Sequence, residues 1–251
     1  MSTTASDTAP LTVVLVHGAF TDASSWNGVI GRLQAAGVQV TAPPNPLRGL
    51  SADSAYIKSF LEQIPGPVLA VGHSYTGAVI SNAATDARNV VGLVFVAAFA
   101  TEEGETVGEV ASTSKDAILS TALVPLHYPV GHGTETAVEL GVDPAKFRDV
   151  VAADLPAEQT AVMAATQRPI AELAFSEPCG PPAWKSRPAW AVVATGDKAA
   201  GADLVRSQAE RAGATITEVE GSHVIMVSQP EAVTNVIMEA VGAVAQVRVG
   251  A

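Results

Sequence analysis

Three side chains in this sequence could together perform nucleophilic chemistry: Ser74, His223 and Asp197. Ser74 stands in Gly72-His73-Ser74-Tyr75-Thr76-Gly77, directly after the apolar run Val68-Leu69-Ala70-Val71 and before a helical pattern. A serine on such a strand-to-helix turn presents its Oγ above the carboxyl edge of a sheet, where open α/β sheets take their ligands. Its hydroxyl is a poor nucleophile until a positioned base removes the proton. Of the five histidines, His17 and His73 precede the turns they belong to, and His127 and His132 sit in an irregular middle stretch. His223, in Glu220-Gly221-Ser222-His223-Val224, follows an expected strand and precedes the last helix, which brings it to the edge that carries Ser74. Such a base needs a carboxylate that holds its tautomer and stabilises the imidazolium. Asp197, in Ala194-Thr195-Gly196-Asp197-Lys198, follows the expected strand from Trp190 at its carboxyl end and is the candidate; Glu102 and Glu103, just past the preceding strand, are the alternatives.

The elements that must hold these residues follow from hydrophobic spacing. Leu11 to Val16 is a continuous apolar run ending in His17-Gly18, the pattern of a strand buried on both faces of a parallel sheet. Helical spacing follows from about Trp26 to Ala36, with Gly37 as its stop, and then a strand over Val38 to Thr41. Ser51 to Gln63 is helical and Pro65-Gly66-Pro67 ends it before the strand from Val68 to Val71. Tyr75 to Ala87 reads as a helix and Val90 to Ala97 as a strand. The last third repeats the alternation, with strands at Trp190 to Thr195 and Thr215 to Val219 and helices at about Ala202 to Ala212 and Gln229 to Ala245. Alternating strands and helices require a mostly parallel sheet with right-handed crossovers and helices on both faces, an α/β fold.

Residues 99–188 break this rhythm: they are rich in Pro and Gly, with short helical patterns and no convincing strand. A connection so long is uncommon without its own function, so the reading is one domain over residues 1–251 with residues 99–188 as an inserted cap and 1–10 as a short polar tail. Trp184 and Tyr128 are candidates either for the pocket wall or for cap-to-core packing. Cys179, between prolines and a glycine, reads as inert.

Composition excludes several functions. With 251 residues, 48% hydrophobic and 16% charged, the chain has enough apolar surface to offset the entropy of ordering. A net charge of -11 repels phosphate backbones and anionic membranes, which argues against nucleic acid and membrane partners. Residues 99–188 hold 13 Asp/Glu and 6 Lys/Arg, so the cap carries 6 - 13 = -7 of that charge. One cysteine permits no intrachain disulfide, and His127 and His132 lack a carboxylate or thiol at a ligand spacing, so no metal is expected. No apolar stretch approaches the roughly 20 residues of a membrane span. The N-terminal segment has neither a basic region nor an apolar one of the kind that marks a signal peptide, so a cytoplasmic setting is the expectation.

The sequence resembles the α/β-hydrolase superfamily, whose nucleophile turn is written Gly-x-Ser-x-Gly, and departs from it at Thr76. The order Ser, Asp, His along the chain is also that family's. The resemblance extends to His17-Gly18-Ala19, to Trp26 in the first helix, and to Ala97-Ala98-Phe99 after the fourth strand. These look like the small serine-esterase branch that includes plant methylesterases and hydroxynitrile lyases. The resemblance implies an α/β-hydrolase fold and an oxyanion hole of two backbone N–H groups, one after the nucleophile, Tyr75, and one after His-Gly, Ala19. It implies cofactor-free hydrolysis of a small carboxylic ester through an acyl-enzyme on Ser74, and the negative charge of the cap favours a neutral one. A hydroxynitrile lyase, a cofactor-free perhydrolase and a slow-turnover ligand receptor remain as rivals on the same site. A lyase needs a cation near the pocket, for which Lys198 and Lys185 are the candidates. The sequence leaves a homodimer open.

Overall fold

A computed structural model of the chain describes residues 9–249; the polar tail expected over residues 1–10 lies, apart from Ala9 and Pro10, outside them. The expected alternation is present. Strand β1 (Thr12–Val16) leads to helix α1 (Asn27–Ala35), β2 (Gln39–Thr41), α2 (Leu50–Glu62), β3 (Val68–His73), α3 (Thr76–Asp86) and β4 (Val90–Val96). The middle stretch contributes α4 (Val107–Ala111), β5 (Leu123–Pro129), β6 (Thr136–Val142), α5 (Pro144–Val151), α6 (Ala157–Thr166), β7 (Ile170–Ala171) and α7 (Leu173–Ser176). The alternation resumes with β8 (Ala189–Ala194), α8 (Ala202–Arg211), β9 (Thr215–Val219), α9 (Ile225–Ser228) and α10 (Pro230–Val249).

Six of the strands form one parallel sheet in the order β2-β1-β3-β4-β8-β9. The chain runs outward from β1 to β2 and then returns to the other side of β1 with β3. With right-handed crossovers, that reversal puts α1 on one face and α2, α3 and α8 on the other. It also opens a crevice at the carboxyl ends of β1 and β3, the place where such sheets bind ligands. The central strands are apolar on both sides because both faces are covered: β1, β3 and β8 are buried throughout.

Between β4 and β8 the structure corrects the sequence reading, which found no strand there. β5, β6 and β7 form a three-stranded antiparallel sheet. Its signal is weak for a physical reason. β5 is an edge strand, mostly exposed, that carries Pro125 and Pro129, residues with no N–H to give to a ladder. Alternation is written into a sequence only where one face is buried, and here neither face of β5 is.

The turn after β3 depends on close backbone approach. A Cβ at Gly72 would lie 2.6 Å from the Thr76 carbonyl oxygen, and one at Gly77 would overlap the Phe99 carbonyl oxygen and sit 2.9 Å from the Ala98 Cβ. The glycine expected by the family pattern at position 76 is therefore not where the crowding falls. Gly77→Ala should destabilise the protein by about 3 kcal/mol or more, since backbone cannot yield as a side chain can. Gly31→Ala, in α1 with nothing within 4 Å of the new methyl, should instead stabilise by about 0.5–1 kcal/mol. Urea denaturation of the two variants reads both signs, and equal effects would contradict the packing account.

Candidate active site

Ser74 is the residue between β3 and α3, with φ 57°, a left-handed conformation that a non-glycine residue adopts at a cost of about 1–2 kcal/mol. Its carbonyl accepts from the N–H groups of Gly77 (3.0 Å) and Phe99 (3.1 Å), and its own N–H donates to Val96 O at 3.2 Å. Thr76, buried at the motif position where the family pattern has glycine, directs its hydroxyl to Val16 O and His73 O, both at 2.8 Å. It thereby ties the ends of β1 and β3 together under the turn. The departure from the pattern leaves the turn intact.

From this turn a line of hydrogen bonds runs across the sheet edge. Ser74 Oγ lies 2.9 Å from His223 Nε2, and His223 Nδ1 lies 2.8 Å from Asp197 Oδ2. The second oxygen, Oδ1, accepts from the N–H groups of Ala199 (2.8 Å) and Ala200 (3.0 Å). These bonds fix the carboxylate so that one lone pair faces the imidazole. All three side chains are buried. The loops after β8 and β9 are stapled by Gly196 N–H to Gly221 O at 2.9 Å, an approach that a Cβ on Gly196 would block. The alternative acids fall elsewhere: Glu102 is ion-paired with Lys185 at 2.5 Å, and the backbone N–H of Glu103 bonds to Glu102.

Ala19 follows β1 and Tyr75 follows Ser74; both border the same cavity. Among the described residues neither backbone N–H donates to another protein group. The Ala19 turn is shaped by Phe20 at φ 60°, whose N–H donates to Arg168 O at 3.0 Å. Gly18 is required because a Cβ there would lie 2.8 Å from the Ser74 Cβ. The Tyr75 phenol donates to Asp53 Oδ2 at 2.9 Å, and the Arg48 N–H donates to Asp53 Oδ1 at 3.0 Å. Burial raises the Asp53 carboxyl above its ordinary range, against these hydrogen bonds, and burial beside Asp53 pushes the Tyr75 phenol up, so it stays protonated.

Two further imidazoles brace the site. His73 Nε2–H donates to the His223 carbonyl at 3.0 Å. His17 donates from Nδ1 to Gly18 O at 3.0 Å, while its Nε2 accepts from the Asn45 N–H at 2.9 Å and from Arg168 at 3.2 Å. Burial holds both imidazoles below the ordinary 6.5, with Arg168 adding to the effect at His17 and His223 at His73.

The cavity over Ser74 and His223 measures about 460 Å³. Phe20, Phe99 and Phe175 give it an apolar lining, together with Leu119, Leu123 and Leu140. Among the lining residues Glu172 carries the one formal charge, and no Lys or Arg is present. Neither Trp184 nor Tyr128 reaches it. Trp184 is buried with its indole N–H on Thr101 O at 3.2 Å, and the Tyr128 ring lies under the Arg48 guanidinium at 4.3 Å. Cys179 is buried against Thr101, 2.9 Å from its hydroxyl, and burial raises its thiol. Among the described residues no group of three or more His, Cys, Asp or Glu could hold a metal ion, and no helix is long and apolar enough to cross a membrane.

The profile of the Alpha/beta hydrolase family matches residues 13–236. The chain belongs to that family. Solved structures of this hydrolase fold include polyneuridine aldehyde esterase, 20% identical, covering 92% of this chain and 99% of that one with a TM-score of 0.77. A pyrethroid hydrolase from Sphingobium faniae is 21% identical over 95% of this chain and 100% of that one, with a TM-score of 0.75. A methylesterase from Arabidopsis is 19% identical over 92% and 99%, with a TM-score of 0.74. At these identities the likeness is one of fold. No curated protein sequence gives a match.

The sequence reading missed Asp53, Arg168 and Glu172. Asp53 could have been found: it stands on the stripe of α2 that buries Leu50, Ile57 and Leu61. Arg168 and Glu172 are brought in by the middle segment and leave no pattern in the sequence.

The two depressed histidines lower stability on mild acidification. Their folded pKa values lie below the unfolded one, so between the two the unfolded chain binds more protons and stability falls as pH falls below 6.5. Each contributes up to about 1.4 kcal/mol per pH unit. Asp53, with its raised carboxyl, works in the opposite sense above 3.8, one group against two. Urea midpoints should drop between pH 7 and pH 5; equal midpoints would contradict the buried neutral imidazoles.

Proposed function

We propose that this protein is a serine hydrolase that cleaves a small, uncharged carboxylic ester through an acyl-enzyme on Ser74. The observation that carries the reading is the unbroken line Ser74–His223–Asp197, at 2.9 and 2.8 Å, opening on a largely apolar cavity. Ser74 Oγ attacks the ester carbonyl as His223 Nε2 takes its proton. The developing oxyanion accepts from the N–H groups of Ala19 and Tyr75, which are preorganised by the Phe20 turn and the start of α3. His223 then gives the proton to the leaving alkoxide. Water enters, His223 deprotonates it, and the acid is released with Ser74 restored. Asp197 keeps Nδ1–H of the imidazole pointed at itself and stabilises the imidazolium in both halves.

Residues 99–188 act in this reading as a cap, since they supply much of the cavity wall, including Gly108, Leu123 and Phe175. An apolar lining favours an uncharged substrate with a modest hydrocarbon group. The neighbouring structures named as an esterase and a methylesterase agree with ester cleavage, and the one named as a pyrethroid hydrolase agrees with hydrolysis. A hydroxynitrile lyase is disfavoured because no cation lines the cavity: Lys198 is exposed and Lys185 is held by Glu102. The proposed reaction uses no cofactor.

Replacing a triad aspartate by asparagine keeps geometry but costs about 10⁴ in kcat in well-studied serine proteases. Asp197→Asn should lose several orders of magnitude on p-nitrophenyl esters, with Ser74→Ala as control. Glu102→Gln should stay within a few-fold, and the reverse pattern would overturn the acid's assignment.

Substrate charge gives a second test. Glu172 and the negative field of the segment slow anions, an effect salt weakens as the Debye length shrinks to about 8 Å at physiological ionic strength. A neutral ester should have a higher kcat/KM than its carboxylate analogue, by a margin that narrows with added salt. Equal or better use of the anion at low salt would contradict it.

A further inference from the structure

The loop that carries His223 and the turn that carries Ala19 are both held by the same short stretch, residues 154–168, which belongs to the segment between β4 and β8. At one end of α6, Asp154 receives two bonds from Ser222, the residue before His223. Its Oδ2 accepts the Ser222 N–H at 3.0 Å and its Oδ1 accepts the Ser222 hydroxyl. Ser222 is buried. The approach depends on Gly221, where a Cβ would lie 2.8 Å from Asp154 Oδ2. Burial opposes the charge of Asp154, yet its hydrogen bonds, those of Ser222 foremost, together hold the carboxyl below its ordinary range. Among the described residues Asp154 forms no ion pair, so its acceptors serve the His223 loop. At the other end of α6, the Arg168 carbonyl accepts the Phe20 N–H at 3.0 Å, and the guanidinium reaches His17 Nε2 at 3.2 Å.

We infer that residues 154–168 act as a clasp, in which Asp154 is a positioning residue that sets His223 and Arg168 sets the oxyanion turn, so that base and oxyanion donors are aligned only with α6 seated. This rests on the proposed serine-hydrolase reading. The physical case is one of tolerance. Attack requires Nε2, Oγ and the two N–H groups to agree in position to a fraction of an ångström, and a displacement of about 1 Å costs on the order of 100-fold in rate. His223 stands on a loop between β9 and α9. Its Asp197 bond fixes the ring, and His73 and Gly196 hold the backbone at His223 and Gly221, while Ser222 between them is held by Asp154.

The test compares wild type, Asp154→Ala, Ser222→Ala and the double variant in three readouts: ester kinetics, the rate of Ser74 labelling by an organophosphonate, and thermal stability. Asp154→Ala should lower kcat and the labelling rate together, by about 10- to 100-fold, with KM within about two-fold, while the chain remains folded at the assay temperature. Asp154→Asn, which keeps one oxygen for the Ser222 N–H, should fall between wild type and alanine. The double variant should be no worse than Asp154→Ala, because that change already removes the hydroxyl bond that Ser222→Ala deletes. Full kcat and labelling rate in folded Asp154→Ala would overturn the clasp, as would a loss confined to KM or additive losses in the double variant. Absence of Ser74 labelling in wild type would instead overturn the serine-hydrolase reading.

Discussion

The turn at Ser74 is the constraint from which the rest of the structure follows. A side chain projecting from φ 57° needs a strand and a helix to meet at a spacing that ordinary residues would not permit. Gly72 and Gly77 make room on the two sides, while Thr76 fixes the turn to the ends of β1 and β3 through one hydroxyl. Because the helix start cannot recede, its amides and the Ser74 Oγ stand at a fixed height above the sheet. Everything else in the site is brought to that height: Ala19 by the adjacent β1, Asp197 by β8 and His223 by β9. The parallel sheet supplies rigid strand ends, and the loops need only short spans to reach the same point.

Burial of charged and polar groups then decides which parts are firm. Asp197 is buried with its oxygens used by His223, Ala199 and Ala200, so the carboxylate is neither free to turn nor left unpaired, which would cost several kcal/mol. His17 and His73 are neutral and hydrogen-bonded, one under each of the turns that bear Ala19 and Ser74. Outside this frame, the segment between β4 and β8 shapes the cavity. It is bonded to the rest of the chain at many points, among them Ile118 N–H on Lys198 O beside Asp197 and the Ser222 and Phe20 contacts.

The sheet and its helices were legible because parallel strands buried on both faces are written as unbroken apolar runs, as at Val13 to Val16 and Val192 to Ala194, and because glycine and proline mark the ends. Ser74 and Asp197 were legible because each follows such a run, and a strand end is a position the sequence defines; His223 follows the half-exposed edge strand β9 and was legible from its place just before the last helix. The antiparallel strands β5 to β7 were not, since an exposed edge strand with two prolines carries no alternation. Nor were Asp154 and Arg168, whose partners Ser222 and Phe20 are far off in the chain and are chosen by tertiary packing. Tyr128 and Trp184, for which the sequence left pocket wall and cap-to-core packing both open, pack against Arg48 and Thr101.

The central claim is that Ser74 becomes acylated during turnover. Acid quenching in the steady state of p-nitrophenyl ester hydrolysis, followed by peptide mass spectrometry, reads this directly. The account predicts an acyl mass on the peptide holding Ser74, lost in Ser74→Ala, and accumulating in proportion to a burst of p-nitrophenol. Turnover without any acylated peptide, or with the acyl group on another residue, would contradict it.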